Sequence, residues 1–131
     1  MNEPHNSFCK QERINSKKAI EALFSGKAKS IASFPLLAVY QEVEELEDYP
    51  VAVLISVSKK RFKHAVQRNR IKRQIRETYR INKHALHNAL LSKGKKMHIA
   101  FIYLDTKQHP TEKIEQHMLS LLERLATQIQ E

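Results

Sequence analysis

Apolar positions along the chain change period several times, and each change marks an element. Ala19, Ile20, Leu23 and Phe24 recur at i, i+1, i+4 and i+5, one stripe of a short helix over Ser16–Phe24, with Ser16 placed to cap it and Gly26 to end it. Ile31–Val43 alternates as a strand does, with Phe34, Leu36, Ala38 and Tyr40 on one face; Pro35 suits an edge or a strand start, and a further short strand fits near Lys29. The acidic stretch Glu42–Asp48, closed by Tyr49-Pro50, reads as a solvated connection. Val51–Val57 is almost continuously apolar and β-branched, the pattern of a strand covered on both faces.

Ala65–Asn82 contains no Gly or Pro and repeats at helical spacing. Ile71, Ile75, Thr78, Tyr79 and Asn82 fall on one side of it, opposite a stripe of Asn69, Arg73, Arg76 and Arg80. His84–Leu91 suits a short helix and Ser92–Lys96, with Gly94, a turn. Met97–Leu104 is a strand with Phe101 and Tyr103 on one face, and either side of that strand can be the one that meets helices. Thr111–Ile129 is an amphipathic helix on Ile114, Met118, Leu121, Leu122 and Leu125, with Thr111 as its cap. The order predicts an α+β sandwich: a small mixed sheet with helices mainly on one face, in which Val51–Val57 and Met97–Leu104 are parallel neighbours across a helix.

The 131 residues make one domain over 1–131, with residues 1–7 loose. A 41% hydrophobic content supports a core, and two Gly with four Pro exclude low-complexity readings. The one cysteine, Cys9, excludes an internal disulfide framework and fits a reducing cytoplasm. No apolar run approaches the roughly 20 residues of a membrane span, and the N-terminus lacks the apolar core of a secretory signal. The expectation is a soluble cytoplasmic protein.

Charge changes the picture more than composition does. The formal net charge is +9, but it is not spread evenly. Ser58–Lys96 holds fourteen Lys and Arg against the single acid Glu77, while the rest of the chain is net acidic. Like charges concentrated this way repel one another, and a polyanion relieves that repulsion with release of its counterions. A solvated helix face usually interleaves Glu with its Lys and Arg, which this one does not. Nucleic acid is therefore the expected partner, ahead of an anionic membrane or an acidic protein.

Parts for autonomous chemistry are missing from the pattern. Seven histidines are scattered, and His84/His87 form the one ligand-like pair, with no carboxylate at a useful spacing. Asp48 and Asp105 read as turn residues, Cys9 as a stray thiol, and no Gly-rich phosphate loop exists.

Ser-Val-Ser-Lys-Lys at 56–60, followed by Ala65-Val66-Gln67-Arg68-Asn69-Arg70-Ile71-Lys72-Arg73-Gln74-Ile75-Arg76-Glu77, resembles the signature of the protein component of bacterial ribonuclease P. Phe8, Lys10 and Arg13-Ile14 resemble that family's N-terminal element, and Leu23-Phe24-Ser25-Gly26 its first helix end. The connection Lys59–Val66 departs from the family's usual one, being a residue longer and lacking Gly. The resemblance implies a left-handed strand–helix–strand crossover and a partner that is a large catalytic RNA. That RNA performs the Mg-dependent hydrolysis removing 5′ leaders from precursor tRNA, so Mg is held mainly by RNA and substrate and the protein is a non-catalytic subunit. No membrane and no obligate protein partner is expected. On this reading Lys59, Lys60, Arg61, Lys63, Arg68, Asn69, Arg70, Lys72, Arg73, Arg76 and Arg80 carry contact with the RNA subunit. Phe8, Lys10, Arg13 and Phe24 are candidates for a cleft that holds the single-stranded leader. The alternatives are a ribosomal-type structural RNA binder, a small nuclease built on His98 or Asp105, and a DNA-reading helix.

Overall fold

A computed structural model describes residues 13–14, 17–26, 28–43 and 50–130. Its elements are α1 (Lys17–Leu23), β1 (Lys29–Ser33), β2 (Leu36–Val43), β3 (Val51–Ser56), α2 (Ala65–Asn82), α3 (His84–Lys93), β4 (Lys96–Tyr103) and α4 (Thr111–Gln130). The strands form one mixed sheet in the order β1-β2-β4-β3, antiparallel except for the parallel pair β3–β4. That parallel pair, joined through α2 and α3, is the strand–helix–strand unit the pattern predicts.

Strand side chains alternate between faces, so each strand contributes to two layers. Ile31, Leu36, Ala38, Tyr40, Val51, Val53, Met97, Ile99, Phe101 and Tyr103 meet the apolar stripes of α2, α3 and α4 in the main core. On the opposite face Ala52 and Ala100, with Val39 and Leu54, meet Ile14 and α1 in a smaller one. β3 is thus an edge strand with cover on both sides, and Val51–Val53 are buried while Leu54–Ser56 are half-buried. The ring-rich face of β4 is turned inward: Phe101 and Tyr103 are fully buried, with Tyr79 of α2 tilted against Phe101 at 5.6 Å. Neither ring is available to stack a base. Tyr79 also shares a 2.8 Å hydrogen bond with His87 of α3, both of them buried, so His87 serves the core and the His84/His87 pair is no ligand set.

Three boundary expectations need correction. Ile31–Val43 is not one strand but a hairpin whose two-residue turn is Phe34-Pro35, with Ser33 opposite Leu36. Pro35 has no N–H to give a ladder, so the chain reverses there; Phe34 leaves the core face and is 60% exposed, whereas Leu36, Ala38 and Tyr40 are buried as expected. Thr111 is the first residue of α4 rather than its cap, because the Pro110 carbonyl accepts the N–H groups of Lys113 and Ile114. α3 runs on to Lys93 and ends at Gly94, whose φ of +64° is the left-handed conformation that glycine adopts without steric cost. Phe8, Lys10, Cys9, the Ser16 cap and the connection at 44–49 lie outside the described residues.

His98, on the α1 side of β4, is held below the usual imidazole range by burial; His117 of α4 is lowered by burial and then by Lys113 and His109. Folded-state values below the unfolded one mean that the folded protein binds fewer protons. This contribution to stability is complete above about pH 6.5 and is lost as pH falls through the folded-state values. The thermal midpoint is expected to drop on acidification below that point, and His98→Gln to flatten the profile. An unchanged profile in that variant would place His98 in solvent.

Candidate nucleic-acid interface

The basic loop between β3 and α2 is built around one apolar anchor. Phe62 is buried and its ring lies 5.9 Å from that of Tyr103. Upstream, the Ser58 carbonyl accepts the N–H groups of Arg61 and Phe62, and the Ser58 hydroxyl accepts that of Lys60 at 3.0 Å. With the turn closed and Phe62 pointing in, Lys59, Lys60, Arg61 and Lys63 are left exposed. Arg68, from the first turns of α2, donates from Nη1 to the carbonyls of Phe62 and Lys63, both at 2.8 Å. Arg68 therefore ties loop to helix, a role that spacing alone does not separate from RNA contact.

α2 follows from its periodicity. Ile71, Ile75, Thr78 and Tyr79 are buried with Gln74, and Asn69, Arg70 and Arg73 are exposed on the other side, with Lys72 and Arg76 half-exposed. The first turn has no acid, so the positive end of the helix dipole adds to the local field. Four cations of the predicted set have partners: Arg68 as above, Arg61 with the Leu104 carbonyl, Arg70 with Gln108 Oε1 at 2.8 Å, and Arg80 with Glu77. The Arg80 guanidinium holds the Glu77 carboxyl below its ordinary range, so this acid offsets one base of the stripe. Lys59, Lys60, Lys63, Asn69, Lys72, Arg73 and Arg76 have no side-chain hydrogen bond or ion pair among the described residues. The result is a ridge of cationic groups from the loop through four turns of helix, with donors free for phosphate oxygens.

The opposite face of the sheet is only partly covered. α1 lies over its middle, and one register row beyond it, Ala32–Leu37–Ile102–Ser56, runs across all four strands with exposed or half-buried side chains. That row ends two residues before Ser58 and the basic loop. Phe24, just past α1, is 49% exposed. Arg13 is exposed at the outer edge of β3, where a parallel bridge pairs it with Val53 and Ile14 N–H bonds to the Val53 carbonyl at 3.1 Å. An apolar strip beside a cationic loop can take an unpaired, flexible polyanion whose bases stack while its phosphates pair.

Chemistry of another kind finds little support. Asp105 accepts the N–H groups of Thr106 and Lys107 and pairs with His109 rather than with His98, at 2.6 Å. The His109 contact is the main reason its carboxyl lies below the usual range. Tyr103 is pushed up to about 12 by burial and by Asp105, and its hydroxyl donates to the Lys107 carbonyl. Among the described residues no group of three His, Cys, Asp or Glu stands close enough to hold a metal. Among the same residues no helix is long and apolar enough to cross a membrane.

Phe62, Gln74 and Gln108 shape this surface without carrying charge, and they leave little trace in the sequence. A lone aromatic inside a basic loop is the available signal for Phe62. Gln74 carries none, since its role depends on a loop thirty-five residues away.

Comparison with known proteins converges. Residues 8–126 match the family model described as Ribonuclease P. The chain is 36% identical to the ribonuclease P protein component of Porphyromonas gingivalis over 91% of its own length and 86% of that protein's. It is 40% identical to the component from Chlorobaculum tepidum, over 75% of this chain and 68% of the relative. Its fold is similar to that of the Thermotoga maritima RNase P protein, with a TM-score of 0.69 at 21% identity, covering 86% and 96% of the two chains. It is also similar to the Staphylococcus aureus RNase P protein, with a TM-score of 0.67 at 25% identity over 86% and 94%.

Proposed function

The chain belongs to the bacterial ribonuclease P protein family, and we propose that it grips the catalytic RNA of that enzyme with the loop–α2 ridge while the partly covered sheet face holds the 5′ leader of precursor tRNA. The observation that carries this reading is the concentration on one ridge, from Lys59 to Arg76, of cations without partners among the described residues, with Glu77, the one acid of α2, already paired to Arg80. Hydrolysis belongs to the RNA, with the Mg ions it and the substrate hold. The two candidates for a general base are placed for other work: His98 stands in mid-strand, and Asp105 is committed to a turn.

Phosphate contacts by the ridge are independent of sequence and depend on salt. The leader face works differently. Phe24 offers a ring edge or face to an unpaired base, worth about 1–3 kcal/mol per stack, and Arg13 a cation at the border of β3. The reconstituted holoenzyme is expected to bind precursor tRNA more tightly than mature tRNA, and Phe24→Ala to shrink that difference by about tenfold while leaving mature tRNA binding unchanged. Equal loss for both tRNAs would remove Phe24 from the leader face. A ribosomal-type structural role, the runner-up from sequence, predicts no discrimination between the two tRNAs at all.

A further inference from the structure

The loop between β4 and α4 carries none of the ridge cations, yet it touches the ridge at Arg61 and Arg70 and the buried side of α2 at Gln74. Arg61 donates to the Leu104 carbonyl, Arg70 to Gln108 Oε1 at 2.8 Å, and Gln74 to the His109 carbonyl at 2.9 Å. The loop is itself locked from within. Asp105 Oδ1 accepts the backbone N–H groups of Thr106 and Lys107 at 2.7 and 3.2 Å, and Asp105 Oδ2 meets His109 Nε2 at 2.6 Å. One carboxylate thus closes the stretch 105–109, which presents the acceptors at Gln108 and His109 and follows directly on Leu104, whose own N–H bonds to the Pro35 carbonyl at 2.8 Å.

We propose that Asp105 and His109 form a latch that positions the ridge for RNA, by fixing the acceptors that hold Arg61 and Arg70 in place. The inference rests on the RNA-binding reading of the ridge. A guanidinium has five N–H donors, so one bond to the loop leaves the others for phosphate while fixing where the fork points. An arginine left free would lose that rotamer freedom on binding, at a cost in affinity for each side chain ordered. The latch removes that cost beforehand. Neither residue touches RNA in this account, and both act through the arginines.

The sign of the effect separates this from plain electrostatics. Removing an acid beside a bound polyanion should tighten binding. The latch predicts the reverse for Asp105→Ala: about tenfold weaker binding of the cognate ribonuclease P RNA. In an Arg61→Ala/Arg70→Ala background, with nothing left to position, the same change is expected to cost less than about twofold. Asp105→Asn keeps the acceptor for Thr106 and Lys107 and can pair with the other histidine tautomer, so it should bind at least as tightly as wild type. His109→Phe keeps a ring against Tyr103 but loses the donor, and should repeat the loss of Asp105→Ala. All are compared below their own thermal midpoints. The proposal is overturned if Asp105→Ala and His109→Phe bind as tightly as wild type or tighter, or if the loss is equal in both backgrounds. Failure of the latch leaves wild-type binding intact, whereas a wild-type chain that does not bind the RNA overturns the ridge reading with it.

Discussion

Replacing Lys72, Arg73 and Arg76 together by alanine is expected to weaken binding of the ribonuclease P RNA by at least about a hundredfold at physiological salt. Each contributes a charged donor that no other described side chain occupies, and hydrogen bonds to charged groups are worth about 1.5–3 kcal/mol. The slope of log affinity against log salt should flatten by about 0.7–0.9 for each phosphate that is no longer neutralised, or about 2–3 in all. The fold should survive, because Arg73 and Arg76 lie on the far side of α2 from the fully buried Ile71 and Ile75, and Lys72 is half-exposed on its flank. Arg68→Ala is the contrasting control. It unties the loop from the helix and should weaken binding with little change of slope, since Arg68 is spent on the carbonyls of Phe62 and Lys63. Titration by filter binding or anisotropy across a salt series reads both quantities. Weaker affinity without a change in slope for the triple variant would mean that these groups shape the ridge rather than meet phosphate.

Phe101→Ala is expected to remove about 3–5 kcal/mol of stability, by lost transfer energy and the cavity left behind. Phe101 is fully buried on β4, tilted against Tyr79 and adjoining the stripes of α2 and α4. With a domain of this size stable by about 5–15 kcal/mol, the change approaches the whole reserve. Chemical denaturation should show a lower midpoint with an unchanged slope. The same variant answers a question the sequence leaves open, since a base-stacking Phe101 would lose RNA affinity while keeping its stability. Full stability in this variant would contradict the placement of that strand face against the helices.

The helix that matters most is legible in the sequence because its two constraints coincide. Ile71, Ile75, Thr78 and Tyr79 recur at the period that buries them, which forces Asn69 and Arg73 to the other side. The parallel pair β3–β4 is legible for a similar reason, two apolar runs separated by a helix. The hairpin at Phe34-Pro35 escapes the pattern because Phe34, Leu36, Ala38 and Tyr40 alternate across the turn as if it were not there. The division of labour among the arginines is not legible at all. Arg61, Arg68, Arg70 and Arg73 are alike in sequence, and partners distant along the chain, such as Leu104 and Gln108, separate their roles. Resemblance to the family supplies the partner, which charge alone narrows only to a polyanion.

The most direct measurement is cleavage of precursor tRNA at low Mg by four mixtures: RNA subunit alone, protein alone, the two together, and RNA with the Lys72/Arg73/Arg76 alanine variant. The account predicts leader removal by the complete wild-type mixture, none by protein alone, and at most a small fraction with RNA alone or with the variant. Leader removal by the protein without RNA, or full activity with the variant, would contradict it.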